Sequence, residues 1–388
     1  MNIIYIGAFR FPKYDAAAAR VLNNARALRD CGHNVEIISW GGQYEDSVKV
    51  CGDLDTYGGF NYTVTGELDI KDGVIAKMKN RLNRGGKSLK ILKSRKQTPD
   101  LIITYNPDLI FNYRLKRFAS RHGIKYANDI TEWSDKNELR LFERLTNAIN
   151  LKYLTKRVKN KIVISSYLNN YYSAGNNIIV PPLCDLTEVK WTRNSSAETQ
   201  PGIITFIYAG NPARKDSLHV VINSMQRSLE RGFNFKLLIL GVTEEQYIGR
   251  YSSLLNNTKL DDRIVFMGRV PQDEVPSYYS ESDFMVLIRE PNRKSMAGFP
   301  TKFAESFAAG IPVVANKTSD ICDYLIDGQT GFVVQNHSEE ALEEVFTRIS
   351  GINRETVVEL KRKVAEMSEK FDYRYHVARF QEFITNLM

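Results

Sequence analysis

Three loop-like stretches carry the side chains that could do chemistry. The longest, REPNRKSMAGFPTKFAESFAAGIPVVA, covers residues 289–315. An apolar run ends near Arg289, and a loop holding Gly298, Phe299 and Pro300 leads into a helix expected to begin near Thr301. Lys302 falls in its first turn and Glu305 one turn later. Free backbone N–H groups at a helix N-terminus, reinforced by a lysine, make an anion site. A carboxylate at Glu305 suits sugar hydroxyls and not phosphate. The same spacing also describes a capped helix with a solvated lysine and glutamate, and spacing alone does not separate the two.

The second stretch is YAGNPARKD, residues 208–216. It turns at Gly210-Asn211-Pro212 and places Arg214 and Lys215 before a helix. Two cations in a strand-to-helix loop suit a pyrophosphate, and a solvated basic turn fits equally. The third is FMGRVPQD, residues 266–273, where Gly268 permits close backbone approach and Arg269 is either a phosphate ligand or an exposed side chain.

The elements that must position these loops alternate strand and helix. Asn2–Gly7 reads as a strand, Ala8–Asp15 as a loop broken by Pro12, Ala16–Cys31 as a helix closed by Gly32, and Val35–Trp40 as a strand. The pattern recurs through DLIITY (100–105), a helix over Leu109–His122, and strands at Lys125–Asp129 and Lys161–Ser165. It restarts with strands at 205–210, 236–241, 264–268, 283–288 and 312–315, and with helices at Ser217–Arg231 and Pro300–Ala309. Such alternation predicts an α/β fold with a doubly wound parallel sheet in each half. The polar stretch TEVKWTRNSSAETQPG reads as a linker. The expected organisation is an N-terminal domain over 1–185, a linker over 186–203, a C-terminal domain over 204–370, and a helix over 371–388 packing back on the N-terminal domain. Two such domains facing a cleft direct attention to loops that follow strands.

Composition narrows the function classes. The 388 residues carry a net charge of +8, with 43% hydrophobic and 25% charged residues, a globular balance. No apolar run approaches the roughly 20 residues of a membrane span, and the first residues lack the basic and apolar segments of a signal peptide. Four scattered cysteines and five histidines show no metal-ligand spacing, so no metal site is expected and a reducing cytoplasm fits. Residues 1–185 hold 29 Lys+Arg against 18 Asp+Glu, whereas 186–388 hold 24 against 27. An anionic partner for the first half is therefore expected. The segment Lys77–Lys96 holds nine Lys+Arg and no acid, interleaved with Met78, Leu82, Leu89, Ile91 and Leu92. That pattern points to an anionic membrane surface, with a solvated helix face as the alternative. No nucleic-acid reading motif accompanies it, and GAFRFP after the first strand is not a dinucleotide fingerprint.

Together the three loops, with RDCGHNVEII (29–38) and IVISSYLNNYYSAGNNIIVPPLCD (162–185), resemble GT-B retaining glycosyltransferases of family four, the glycosyl transferases group 1. The likeness covers most of the chain and is most specific over Ala304–Val334. The resemblance implies two Rossmann-like domains and transfer of a sugar from a nucleotide-diphosphate sugar, such as a UDP- or GDP-sugar, with retention and without a metal or other cofactor. It places Arg214, Lys215 and Lys302 at the diphosphate as the catalytic cations, with Arg289 beside them. Gly210 and Asn211 belong to the same donor site. Gly268, Arg269 and Val270 match the loop that meets the base. Gly298, Phe299, Pro300 and Thr301 match the loop at the donor phosphate and sugar, and Glu305 matches the glutamate that holds the ribose. In the N-terminal half Asp15, Arg20, Asp129 and Glu132 are the expected acceptor contacts. The acceptor class implied is a saccharide or lipid-linked saccharide of surface polysaccharide or glycolipid synthesis, met in the cytoplasm or on the cytoplasmic membrane face. The chain departs from the family at Ala297, where the other glutamate of the pair stands, and at Ala16–Ala19, where paired glycines are common. Ala297 supports a competing reading, a non-catalytic partner subunit with a degenerate donor site, and a nucleotide-sugar epimerase is a same-fold alternative.

Overall fold

The computed structural model describes residues 1–12, 15–41, 55–68, 82–133, 141–191, 202–212 and 216–388. The chain divides into two compact units, Met1–Leu183 with Tyr373–Met388, and Cys184–Asp372. Most of the stretch read as a linker, residues 192–201, lies outside the described residues, and 186–191 belong to the second unit.

The first unit is built on an eight-stranded sheet. Its strands are β1 (Asn2–Arg10), β2 (Asn34–Gly41), β3 (Asp55–Tyr57), β4 (Phe60–Val64), β5 (Leu101–Tyr105), β6 (Lys125–Ile130), β7 (Asn160–Val163) and β8 (Asn176–Ile179). They lie in the order β3-β4-β2-β1-β5-β6-β7-β8. Every pair is parallel except β3–β4. β1 runs three residues beyond the expected strand, into the predicted loop. Phe9 and Phe11 are wholly buried, and Arg10 pairs with Gly41 after a shift of register, so burial of the two rings carries the extended backbone onward. Gly7 is required by close packing: a Cβ there would lie 2.8 Å from the Tyr105 carbonyl oxygen of β5.

Residues Tyr373, Phe380, Phe383 and Ile384 complete the core of this unit alongside Ile3, Tyr5, Val21 and Leu28. The last element is a helix over Val377–Thr385 preceded by 3-10 turns, shorter than the expected 371–388. Asn160 donates its side-chain amide to the Met388 carbonyl at 3.1 Å and accepts from the Met388 N–H at 3.0 Å.

One ion pair knits the centre of this sheet. Arg20, from the helix Ala16–Asp30, donates Nε and Nη2 to the Asp129 carboxylate at 2.8–3.1 Å. Its Nη1 donates to the carbonyls of Val180 and Pro181 at 2.9 and 3.2 Å. The Tyr5 hydroxyl donates to Asp129 Oδ2 at 2.5 Å. Arg20 and Asp129 are 4% and 0% exposed. Removing one member of such a buried pair leaves an uncompensated charge.

The second unit carries six parallel strands: β9 (Ile204–Ala209), β10 (Phe235–Leu240), β11 (Ile264–Gly268), β12 (Phe284–Leu287), β13 (Val313–Asn316) and β14 (Gly331–Val334). Their order is β11-β10-β9-β12-β13-β14. Numbered within the sheet this is 3-2-1-4-5-6, the doubly wound order, with its switch point between β9 and β12.

Two stability predictions follow from burial. Asp129→Ala should cost on the order of 3–5 kcal/mol in denaturant unfolding, whereas an exposed carboxylate such as Glu355 should cost under about 0.5 kcal/mol. Lys161 is fully buried and donates Nζ to the Ala174 carbonyl at 2.9 Å. Burial, with Lys116 nearby, pushes its ammonium down to about 8. The unfolded chain then binds a proton that the native state does not, so this lysine adds stability as pH rises from about 8 to about 10.4. The pH profile of stability in that window should flatten in Lys161→Met.

Candidate functional site

β9 and β12 lie side by side, and their crossovers lead to opposite sides of the sheet. Open parallel sheets bind ligands beyond the carboxyl ends of such a pair. β9 is followed by Gly210 at φ +121°, a conformation that favours glycine. Gly241, after β10, is more tightly placed: a Cβ there would lie 2.5 Å from the Gly210 carbonyl carbon. The Gly210 N–H donates to the Leu240 carbonyl at 3.1 Å and the Gly241 N–H to the Gly268 carbonyl at 2.7 Å. Three neighbouring strand ends are therefore held by backbone alone.

Asp216 organises the charges at this edge. Its Oδ2 accepts from the Tyr208 hydroxyl at 2.8 Å and from Lys302 Nζ at 2.7 Å, and its Oδ1 accepts from Arg289 Nε at 3.0 Å. Lys302 Nζ also stands 3.9 Å from the centre of the Tyr208 ring, a cation–π contact. Burial opposes ionisation of Asp216, but Lys302 and then Arg289 outweigh it and hold the carboxyl well below the usual carboxylate range. Asp216 is thus ionised whenever the protein is folded near neutral pH.

Arg289 is fixed from two directions. Its N–H donates to Asn316 Oδ1 at 2.9 Å and its carbonyl accepts from Asn316 Nδ2 at 2.7 Å, which ties β12 to β13. The side chain is 3% exposed, and its Nη1 has no hydrogen-bond partner among the described residues. A buried donor left unmatched is costly, so the atom is poised for an acceptor that a ligand brings.

Lys302 and Glu305 rise from the helix Thr301–Ala308. Pro300 is its N-cap and supplies no side-chain capping bond. Phe299 and Phe303 anchor the first turn against Tyr324 and Phe371, with ring centres 5.9–6.4 Å apart. Glu305 is half-buried. Burial pushes its carboxyl up, against the pull of Lys302 and Lys190. Such a carboxylate is matched by neutral hydroxyl donors better than by an anion.

The remaining residues singled out in sequence fall as follows. Arg214 and Lys215 lie outside the described residues. Asn211 and Arg269 are exposed, Val270 is half-buried, and Gly268 ends β11 at φ +64°. Residues 293–297, read as loop, form a short helix, because Asn292 and Ser295 cap each other's backbone N–H groups. Gly298 closes it, donating to the Lys294 carbonyl at 3.1 Å. Ala297 is wholly buried, so the position lends no side chain to a ligand.

Expectations for the first unit need correction. Arg20 and Asp129, expected to meet an acceptor, are spent on each other inside the sheet. Asp15 is the N-cap of the helix Ala16–Asp30 and accepts from the Ala18 N–H at 2.7 Å. Glu132 alone of the four is exposed. Sequence reasoning missed Tyr208, Asp216, Gly241 and Asn316. A carboxylate closing the run Arg214-Lys215-Asp216 was the available signal for one of them.

The amphipathic reading of residues 77–96 also changes. Residues 77–81 lie outside the described residues. The helix Gly86–Ser94 buries Leu92 and packs Leu89 and Ile91 against the unit's own core, and Lys87, Lys90 and Lys93 face outward.

Comparison with known proteins agrees with this architecture. Residues 191–369 match the family model described as glycosyl transferases group 1. Among curated relatives, a putative colanic acid biosynthesis glycosyltransferase, WcaL of Salmonella typhimurium, is 27% identical over 172 residues, 43% of this chain and 42% of the relative. The capsular polysaccharide biosynthesis glycosyltransferase CapM of Staphylococcus aureus is 26% identical over 152 residues, 39% of this chain and 37% of the relative. The aligned segments thus span about two fifths of these relatives. Solved structures align over the whole chain. Sucrose-phosphate synthase from Thermosynechococcus elongatus gives a TM-score of 0.75 at 15% identity, covering 100% of this chain and 99% of the other. Anabaena HepE in complex with UDP and glucose gives 0.72 at 12% identity, covering 100% of both. The chain has the GT-B fold, and its residues 191–369 are similar to the glycosyl transferases group 1.

Proposed function

We propose that the protein is a retaining glycosyltransferase that moves a sugar, of hexose type, from a nucleotide-diphosphate sugar to a saccharide-bearing acceptor in surface polysaccharide synthesis. The observation that carries this reading is the buried Arg289 with its unmatched Nη1, set beside Lys302 at the switch point of the second sheet. The relatives named for colanic acid and capsule synthesis support the pathway class.

In this reading the donor diphosphate lies over Gly210 and against the N-terminus of the helix Thr301–Ala308, with Gly298–Thr301 at its sugar side. Cleavage of the bond between anomeric carbon and phosphate oxygen leaves negative charge on the diphosphate. Arg289, Lys302 and the uncapped helix N-terminus, together with Arg214 and Lys215, neutralise that charge. Asp216 keeps both cations in place before the substrate arrives, so little reorganisation accompanies bond breaking. Glu305 accepts from the ribose hydroxyls, and Gly268–Val270 meets the base. No metal is assigned, because the side chains supply the positive charge. The donor class places the reaction in the cytoplasm, where exposed lysines of residues 87–96 allow electrostatic contact with an anionic membrane face.

Ala297 favours a second reading, a partner subunit that binds nucleotide without turnover. Thermal unfolding in EDTA against UDP, GDP, ADP, CMP and NAD separates the possibilities. One nucleoside diphosphate should raise Tm and the dinucleotide should not. No shift with any of them at millimolar concentration would remove the donor site and with it the transferase. Glu305→Gln should weaken the nucleoside diphosphate by about ten- to a hundredfold while leaving inorganic pyrophosphate unchanged, as expected for loss of a charged hydrogen bond. Lys302→Met should lower kcat by about 100- to 1000-fold. Measured nucleotide affinity without any transfer to a panel of glycan acceptors would move the partner-subunit reading to the front.

A further inference from the structure

Arg289 stands where the second sheet forks. Main-chain pairing between β12 and β13 ends at Leu287 and Ala315. Beyond that point the chain after β12 pairs on its other side. The Ser217 N–H donates to the Ile288 carbonyl at 2.7 Å, and Asp216 and Arg289 form an isolated antiparallel bridge. The ladder to β13 has stopped, yet the N–H and carbonyl of Arg289 still need partners, and leaving them open at a buried position is costly.

Asn316 fills the fork. Its Oδ1 accepts from the Arg289 N–H at 2.9 Å, and its Nδ2 donates to the Arg289 carbonyl at 2.7 Å. A single side-chain amide thus stands in for the missing stretch of ladder. The requirement is narrow, because one short planar group must carry both a donor and an acceptor. Ionised aspartate only accepts, leucine does neither, and glutamine is one methylene longer. Asn316 is itself held firmly. It is buried, it is the last residue of β13, and it is in register with Val334 of β14 on the opposite side.

The clasp matters because of the charge that Arg289 carries. An exposed arginine aims its guanidinium by rotating its own long arm. Arg289 is 3% exposed, its Nε is held by Asp216 at 3.0 Å, and its Nη1 has no hydrogen-bond partner among the described residues. With the arm enclosed, the direction of the unmatched N–H groups follows the position of the main chain. A misplacement of about 1 Å costs an oriented group up to about a hundredfold.

We propose that Asn316 is a positioning residue of the donor site. It touches no ligand and acts by holding the Arg289 main chain, so that the buried guanidinium meets the diphosphate. The proposal rests on the transferase reading above and deepens it, extending the site from the switch point between β9 and β12 to the end of β13.

The test is a double-mutant cycle on the full chain, read by calorimetric titration of inorganic pyrophosphate in EDTA. Arg289→Met should weaken pyrophosphate by about ten- to a hundredfold, and Asn316→Leu by about tenfold. In the Arg289→Met background Asn316→Leu should cost less than about twofold more, because its effect passes through the arginine. An amide with a merely structural role would weaken pyrophosphate by the same factor in both backgrounds. Arg289→Lys takes the place of Arg289→Met in the cycle if the methionine variant does not unfold cooperatively. Additive losses overturn the proposal, as does an Asn316→Leu variant that binds pyrophosphate like the wild type. Pyrophosphate binding that Arg289→Met leaves unchanged also sinks it, and leaves the donor site to Lys302. A wild type that binds no pyrophosphate at millimolar concentration removes the donor site, and the transferase reading falls with it.

Discussion

Everything at the ligand edge of the second unit depends on one carboxylate. Asp216 accepts from a tyrosine of its own stretch and from an arginine and a lysine of the stretch over residues 289–315. Without it, two cations would face each other across a poorly solvated space, and neither would hold position. With it, the excess of positive charge is fixed in place and directed at whatever enters from outside. The cost of desolvating the carboxylate is offset by two ion pairs, and the net charge of the cluster stays at plus one. That surplus is what an anionic ligand senses.

The first unit solves a related problem differently. Arg20 and Asp129 also form a buried pair at the centre of a parallel sheet, but the pair is closed. Every guanidinium nitrogen of Arg20 has an internal acceptor, and Nη1 donates to two main-chain carbonyls near β8. The contrast with Arg289, whose Nη1 is unmatched among the described residues, separates a structural ion pair from a recruiting one. Similar residue types at similar topological positions thus serve opposite ends, and hydrogen-bond accounting distinguishes them where residue identity does not.

The alternation of strand and helix was legible because buried parallel strands are short apolar runs and the helices between them end at glycine. The helix read over Leu109–His122 runs Leu109–Arg121, and the strand read over 264–268 is Ile264–Gly268. Boundaries failed where side-chain capping or burial decided them. Asn292 and Ser295 nucleate a helical turn that composition alone reads as loop. β4 depends on pairing with β2 across distant sequence, and β3 on pairing with β4. In the site, Lys302 and Glu305 could be read from helix spacing, whereas Asp216 and Asn316 could not. Asp216 meets its two cations from 73 and 86 residues away, and Asn316 meets Arg289 from the neighbouring strand, 27 residues away. Arg20 and Asp129 were misjudged for the same reason: a charged residue near a strand end looks the same in sequence whether it faces solvent or a buried partner.

The first unit is discontinuous in sequence, since Tyr373, Phe380, Phe383 and Ile384 finish a core begun by Ile3 and Tyr5. On the ribosome this has a consequence in time. The 189 residues of Cys184–Asp372 must be made before the closing helix exists, roughly ten to forty seconds at about 5–20 residues per second. Throughout that interval the nascent first unit carries an apolar face awaiting its last helix, while the second unit, continuous in sequence, is free to complete its own core. The order of assembly is thus the reverse of the order of synthesis, and the first half of the chain is the part that must be kept from aggregating.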